Sequence, residues 1–321
     1  MAALTCGFSR NGFCYHYCLL KITSNTNITE LNPSSITDFK TLARTISLVE
    51  NEAEGFETIL QQLQPNNIPV VGFTGPPGAG KSTLLNAVLG ILLGEGEKIG
   101  LVLVDPSSPF NMGALLGDRL RMTTHFTNEN LFIRSVATRG SLGGLSDKIL
   151  EVVEVMRAYP FDYIFIETVG VGQSEVEIAG LADTTVVVLV PEAGDTVQTM
   201  KAGLMEIADV FVVNKADRAD AEALVQSLLH QLQINGRENI PVLKTVAVES
   251  KGVKELLHEI SGKQSADENA ARKLILLTEK ALRIISKNKM KNFDSQKLKA
   301  ELARAIQQPD FNLYKFVKPY L

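Results

Sequence analysis

Cysteine is nearly missing: Cys6, Cys14 and Cys18 are the only three in 321 residues, and all fall at the start of the chain. Everything after them folds without disulfides, as suits a reducing compartment. Long apolar runs are missing too. None reaches the roughly 18 residues that cross a bilayer as a helix. Basic residues are not in excess, since the formal net charge is −4, and a nucleic-acid backbone calls for a basic patch. Neither nucleic acid nor a membrane is therefore an expected partner. No internal repeat is visible. Acidic residues are missing before Glu30. A mitochondrial presequence shares that lack but would carry more arginine than Arg10 alone. Residues 1–35 accordingly read as a disordered tail, and the protein as cytoplasmic, or as a mitochondrial matrix protein if the tail is a presequence.

What is present is ordinary globular composition, 45% hydrophobic and 21% charged, enough for a core of full size. The length allows one large domain with appendages, or two domains. Residues 36–63 show a helical pattern, with Leu42, Ile46, Val49 and Ala53 at steps of three and four. Short apolar runs then recur at 69–74, 99–104, 131–136, 163–166, 185–190, 210–213 and 242–246. Helical patterns fill most gaps, at 82–93, 147–158, 194–207 and 219–231. Strands that are apolar throughout, alternating with helices, predict an α/β fold with a mostly parallel sheet and helices on both faces. After Gly262 the strands stop. Residues 270–287 form an amphipathic pattern with Leu274, Leu277, Ala281, Leu282 and Ile285 on one stripe, and 298–306 read as another helix. The apolar tail 311–321 is expected to pack against something.

The first apolar run ends in Gly75-Pro76-Pro77-Gly78-Ala79-Gly80-Lys81-Ser82, followed by Thr83. This is G-x-x-x-x-G-K-[ST] between a strand and a helix, the context a phosphate-binding loop requires. Glycines let successive N–H groups point at the β-phosphate. Lys81 adds a point charge on the β- and γ-phosphates, Ser82 offers a hydroxyl to Mg²⁺, and the helix supplies its positive end.

Another buried run ends in Asn214-Lys215-Ala216-Asp217, an N-K-x-D sequence. A carboxylate at Asp217 can accept from guanine N1–H and the 2-amino group and so rejects adenine. Asn214 can bond the base and tie this loop to the phosphate loop, and the stem of Lys215 can lie over the ring. Following a phosphate loop in order, the motif favours GTP over ATP. A third run ends in Glu167-Thr168-Val169-Gly170. Glu167 can hold Mg²⁺ directly or through water, and the N–H of Gly170 can bond a γ-phosphate. Asp105 ends another strand; it suits the outer shell of the metal and equally suits a cap on the turn at Pro106. No Gln follows Gly170: Val171 stands there, and the nearest amide is Gln173. GTP hydrolysis is therefore expected to be slow until a partner or a rearrangement accelerates it.

Taken together, these blocks resemble the MeaB/ArgK family of P-loop GTPases, which includes the methylmalonic aciduria type A protein. The residues that carry the resemblance run from Glu167 through Gly172-Gln173-Ser174-Glu175. They include Asp105-Pro106-Ser107-Ser108-Pro109-Phe110, Leu116-Gly117-Asp118-Arg119-Leu120-Arg121-Met122, Arg139-Gly140-Ser141-Leu142-Gly143-Gly144-Leu145 and the segment 194–203. The resemblance covers the chain from about Leu42 to its end.

The family consists of G-protein chaperones that gate cofactor loading and protection of cobalamin-dependent acyl-CoA mutases. It implies a mutase of the methylmalonyl-CoA type as partner, with a cobalamin adenosyltransferase as a second. It also implies bound GTP or GDP with Mg²⁺, and a homodimer. The fold it implies is a P-loop domain at 67–262, an N-terminal helical segment at 36–66 and a C-terminal helical dimerisation arm at 263–321. Ser82, Asp105, Asp118 and Glu167 match the metal- and phosphate-side positions, and Lys201 the basic residue of a third switch loop. Thr245-Val246-Ala247 occupies the last nucleotide loop, where the family has Ser before Ala, so Val246 and Ala247 would meet the base edge through backbone N–H groups. Asn111-Met112-Gly113 stands where Ser-Gly-Gly is usual.

Two other readings compete. Cys14-Tyr15-His16-Tyr17-Cys18 could bind a soft metal, as in a nickel-inserting metallochaperone GTPase. Such a protein would be expected to carry ligands inside its GTPase domain, which here has no cysteine. A small-molecule P-loop kinase would transfer phosphate to an acceptor.

Overall fold

The computed structural model of the protein describes residues 36–105, 125, 127–137, 148–168, 174–191, 203–262, 267–290, 293–308 and 311–320. The apolar runs become the strands β1 (Val70–Thr74), β2 (Ile99–Asp105), β3 (Leu131–Ala137), β4 (Tyr163–Thr168), β5 (Thr184–Leu189), β6 (Val210–Asn214) and β7 (Val242–Thr245). They join in one seven-stranded sheet of order β3-β2-β4-β1-β5-β6-β7, with every pairing parallel. Side chains of β1, β5 and β6 are buried along their full lengths, which is why those segments show no polar alternation.

Helices cover both faces. On one face lie α1 (Phe39–Glu50), α2 (Phe56–Gln62), α4 (Ile149–Arg157) and α5 (Ser174–Leu181), sharing a core with Val70, Val102, Ile164 and Ile166. Phe39 anchors α1 there, its ring centroid 5.4 Å from Phe132 and 5.1 Å from Tyr159. Asp38 caps α1, accepting from the Thr41 N–H at 2.9 Å. The opposite face takes α3 (Lys81–Gly94) and α8 (Val253–Gly262) against Val71, Phe73, Phe165 and Val188. A third cluster seats α6 (Leu204–Ile207) and α7 (Ala221–Ile234) on β5 and β6.

The helical pattern of 36–63 is two helices. The chain turns between them, with Glu52 at φ 48° and Gly55 at φ 83°, so Leu42, Ile46 and Val49 are buried on α1 while Ala53 falls in the turn. The pattern at 194–207 appears as α6 from Leu204 onward, after Gly203 at φ 77°; its earlier part lies outside the described residues.

Beyond the sheet run α9 (Asp267–Lys289), α10 (Ser295–Ala305) and α11 (Leu313–Val317). α9 packs along α5, and Lys280 on α9 donates to Glu151 on α4 at 3.0 Å. The tail packs largely on its own arm: Phe293 and Phe316 each lie 5.7 Å from Tyr320, and Phe311 lies 6.3 Å from Phe316.

Candidate functional site

In an open parallel sheet, ligands gather where the strand order reverses, outside the carboxyl ends. Here that place is above β1, which has β4 on one side and β5 on the other. The loop from Gly75 to Gly80 leaves β1 at this point and runs into α3. Gly75 has φ 136°, and a Cβ there would lie 2.1 Å from the Val188 carbonyl oxygen. Gly80 has φ 83°, and its Cβ would lie 2.4 Å from the Asn214 amide nitrogen. Both positions therefore require glycine for conformation and for space. No side chain caps α3 and no acid stands in its first turn, so its first N–H groups face the loop, an arrangement that favours an anion.

Lys81 is buried, and its Nζ donates to the carbonyls of Gly75 at 2.7 Å and Pro76 at 3.1 Å. The ammonium is thus held inside the curl of the loop. Ser82 Oγ donates to Glu167 Oε1 at 2.6 Å. The sheet register explains that meeting, because Glu167 pairs with Phe73 of β1 and with Leu103 of β2. A hydroxyl and a buried carboxylate side by side are hard oxygen donors of the kind Mg²⁺ takes, with phosphate oxygens and water completing an octahedron. Among the described residues no group of three or more His, Cys, Asp or Glu is placed to hold a metal ion.

Asn214 ends β6 and connects three segments. Its Nδ2 donates to the Ala79 carbonyl at 3.0 Å, and its Oδ1 accepts from Thr245 Oγ1 at 3.1 Å and the Ala247 N–H at 3.3 Å. The expected tie between the base loop and the phosphate loop is therefore present. Lys215, at φ 56°, adds a second tie, its Nζ donating to the Gly78 carbonyl at 3.0 Å. Asp217 is exposed beside them. In the last loop the Val246 N–H donates to the Lys251 carbonyl at 3.1 Å. Both backbone N–H groups expected at the base edge thus already have acceptors within the protein. The Ala247 bond is long and can be shared or given up; the Val246 bond closes the loop.

Sequence reasoning missed two threonine contacts. Thr168 Oγ1, fully buried, donates to Thr74 Oγ1 at 3.1 Å, joining the root of the segment before Gly170 to the root of the phosphate loop. Thr245 orients Asn214 from below. Neither is legible from spacing, because each bond crosses between strands far apart in sequence. Asp105 ends β2, but its side chain lies outside the described residues, as do Asp118, Gly170, Lys201 and the blocks at 106–122, 139–145 and 194–201.

The family described as "Methylmalonyl Co-A mutase-associated GTPase MeaB" matches residues 42–301. The chain belongs to this family. A Pyrococcus abyssi protein whose name describes it as a GTPase is 51% identical over 231 residues, 70% of this chain and 71% of its own. "GTPase ArgK" of Escherichia coli is 40% identical over 233 residues, 68% of this chain and 70% of its own. The mouse "Methylmalonic aciduria type A homolog, mitochondrial" is 41% identical over 160 residues, 49% of this chain and 39% of its own length. A solved "LAO/AO transport system kinase" superposes with TM-score 0.60 at 26% identity, covering 91% of this chain and 94% of its own. As a MeaB-family member the protein is a P-loop GTPase that binds GTP and GDP. No helix among the described residues is long and apolar enough to cross a membrane.

Proposed function

We propose that this GTPase is a chaperone that gates cofactor loading and protection of a cobalamin-dependent acyl-CoA mutase of the methylmalonyl-CoA type. The family's own description names such a mutase, and the mouse relative is named for methylmalonic aciduria. The structural observation that carries the reading is the seat of α5. This helix follows the segment containing Gly170, lies on β1 through Ile178, and supports α9 of the arm. A change at the γ-phosphate can therefore leave the nucleotide site through α5, where a partner can read it.

In this reading Gly75, Gly78, Ala79, Gly80 and Thr83 present backbone N–H groups to the phosphates, and Lys81 turns from the Gly75 and Pro76 carbonyls toward the β- and γ-oxygens. Ser82, Glu167, Asp105 and Asp118 would hold Mg²⁺, which would supply positive charge to the phosphate oxygens. Gly170 contacts the γ-phosphate. Asp217 selects guanine, with Asn214 and Lys215 fixing its loop and Val246 and Ala247 closing the edge. Val171, not Gln, follows Gly170, so intrinsic turnover is slow and the partner completes the site. Lys201 couples the third switch to that partner.

The arm from residue 263 joins two copies into a homodimer, residues 67–262 form the GTPase unit, and 36–66 an N-terminal helical segment. Residues 267–321 carry 12 Lys and Arg against 6 Asp and Glu, and the remaining 266 carry 20 against 30, so a basic arm stands on an acidic body. The protein works in the cytoplasm or, as the mouse relative's name suggests, in mitochondria. A cobalamin adenosyltransferase is a second candidate partner.

The deciding experiment measures phosphate release with and without the mutase of the same organism. Stimulation of about tenfold or more is expected, a range reached by completing a site with a missing stabilising group. Lys201→Ala should lower the stimulation more than it lowers nucleotide affinity. Absence of both binding and stimulation would leave the GTPase and remove the chaperone.

A further inference from the structure

The base loop carries an ion pair that no motif announces. Val246 and Lys251 form an isolated antiparallel bridge, with the Val246 N–H donating to the Lys251 carbonyl at 3.1 Å and the Lys251 N–H returning to Val246 at 3.3 Å. The bridge pins Lys251 against the last nucleotide loop. The Ala216 N–H donates to the Thr245 carbonyl at 3.0 Å, pinning the loop that bears Asp217 to the preceding residue of the same segment. Lys251 is thus bridged to Val246, and Asp217 follows the residue bonded to Thr245, so the two stand beside adjacent residues of one segment. The Lys251 ammonium lies 2.5 Å from Glu249 Oε2, and both side chains are exposed. Its proton affinity is raised first by the hydrogen bond to Glu249 and the charge of that carboxylate, and further by the charge of Asp217. Asp217 itself accepts no hydrogen bond among the described residues, so its carboxylate is open to a ligand and within the field of Lys251.

We propose that Lys251 is a positioning residue that weakens the hold of Asp217 on the guanine ring, and that Glu249 limits this by drawing the ammonium aside. The inference rests on the reading of Asp217 as the base-selecting carboxylate. A cation beside that carboxylate competes with the two guanine donors for the same lone pairs. Removing the cation strengthens the grip. Removing Glu249 frees the cation to turn toward Asp217 and weakens it. The pair therefore acts as a brake and counter-brake on nucleotide release, at a distance from the phosphates and with no part in hydrolysis. Neither residue belongs to the N-K-x-D sequence or to the phosphate loop, so the effect is confined to the base.

The test uses the full chain and measures dissociation of GDP and of IDP, which lacks the 2-amino group and offers Asp217 a single donor. In low salt Lys251→Gln should slow GDP release about threefold and Glu249→Gln should speed it about threefold, the span of an exposed ion pair. The effect on IDP should be smaller in both variants. The double variant should behave as Lys251→Gln, Lys251→Arg should behave as the wild type, and raised salt should shrink every difference. A loop merely loosened by mutation would move both single variants in the same direction, would treat GDP and IDP alike and would ignore salt. That pattern, or unchanged release in both variants while the wild type prefers GDP to ADP, overturns the inference alone. A wild type that binds GDP and ADP equally overturns the reading of Asp217 and the inference with it.

Discussion

In the proposed reading, Lys81 is the residue on which the phosphate chemistry depends most. Its ammonium is buried and donates to two carbonyls of its own loop. Lys81→Ala should lower phosphate release by about 100-fold or more, the scale on which one preorganised charge contact is lost; turnover at the wild-type rate would overturn its role. Glu167→Gln tests the neighbouring contact. The amide keeps the shape and can still accept from Ser82, but it loses the charge. Mg²⁺-dependent hydrolysis should therefore fall, with GDP affinity measured by calorimetry changing far less, and equal losses in both would assign Glu167 to the fold. These residues were legible because their motifs are local. Gly75 through Ser82 are contiguous, and so are Asn214 through Asp217. Thr74, Thr168 and Thr245 were not, since a threonine at a strand end has many uses. Only the register that sets β4 beside β1 brings the first two together.

The elements hold their places through close contacts that composition does not display. Gly72 in the middle of β1 stands among Val, Phe and Thr because Ile178 of α5 lies where a Cβ would be, with Cγ1 at 2.7 Å and Cδ1 at 2.8 Å, and Ala182 follows at 3.1 Å. Gly72→Ala should therefore destabilise the chain by about 1–3 kcal/mol, the usual range for overpacking a filled core. Ile178→Val in the same chain should recover part of the loss, because the two sites share one contact. Urea unfolding of the two single variants and the double variant checks this; additive effects would show that the helix does not press on the strand. The seven strands themselves were readable, because strands buried on both faces leave unbroken apolar runs. The break between α1 and α2 was not. The apolar stripe reaches Ala53 without interruption, and the turn depends on Glu52 and Gly55 entering left-handed conformations. α5 was hidden for a related reason. Its eight residues, Ser174-Glu175-Val176-Glu177-Ile178-Ala179-Gly180-Leu181, set no apolar stripe against a polar face, so no helical period marks it.

At the scale of the whole molecule, the arm presents more apolar surface than a single copy covers. On α9, Leu274 is 66% exposed and Leu282 58%, with Ile275, Leu277, Ile284 and Ile285 also open. One side of this helix is fixed to the body through α5 and the Lys280–Glu151 ion pair. Its other apolar residues stay exposed, a patch of the kind that marks a protein interface. The full chain should be a dimer at micromolar concentration by light scattering. Leu277→Asp with Leu282→Asp should shift it to a monomer, because two carboxylates cannot be buried unpaired in an apolar seam. Both residues are exposed in the single copy, so the substitutions should leave its unfolding temperature and GDP affinity little changed. That combination separates a lost interface from a lost fold. A wild-type chain that stays monomeric at micromolar concentration would overturn the role given to the arm, and so would a doubly substituted chain that remains a dimer.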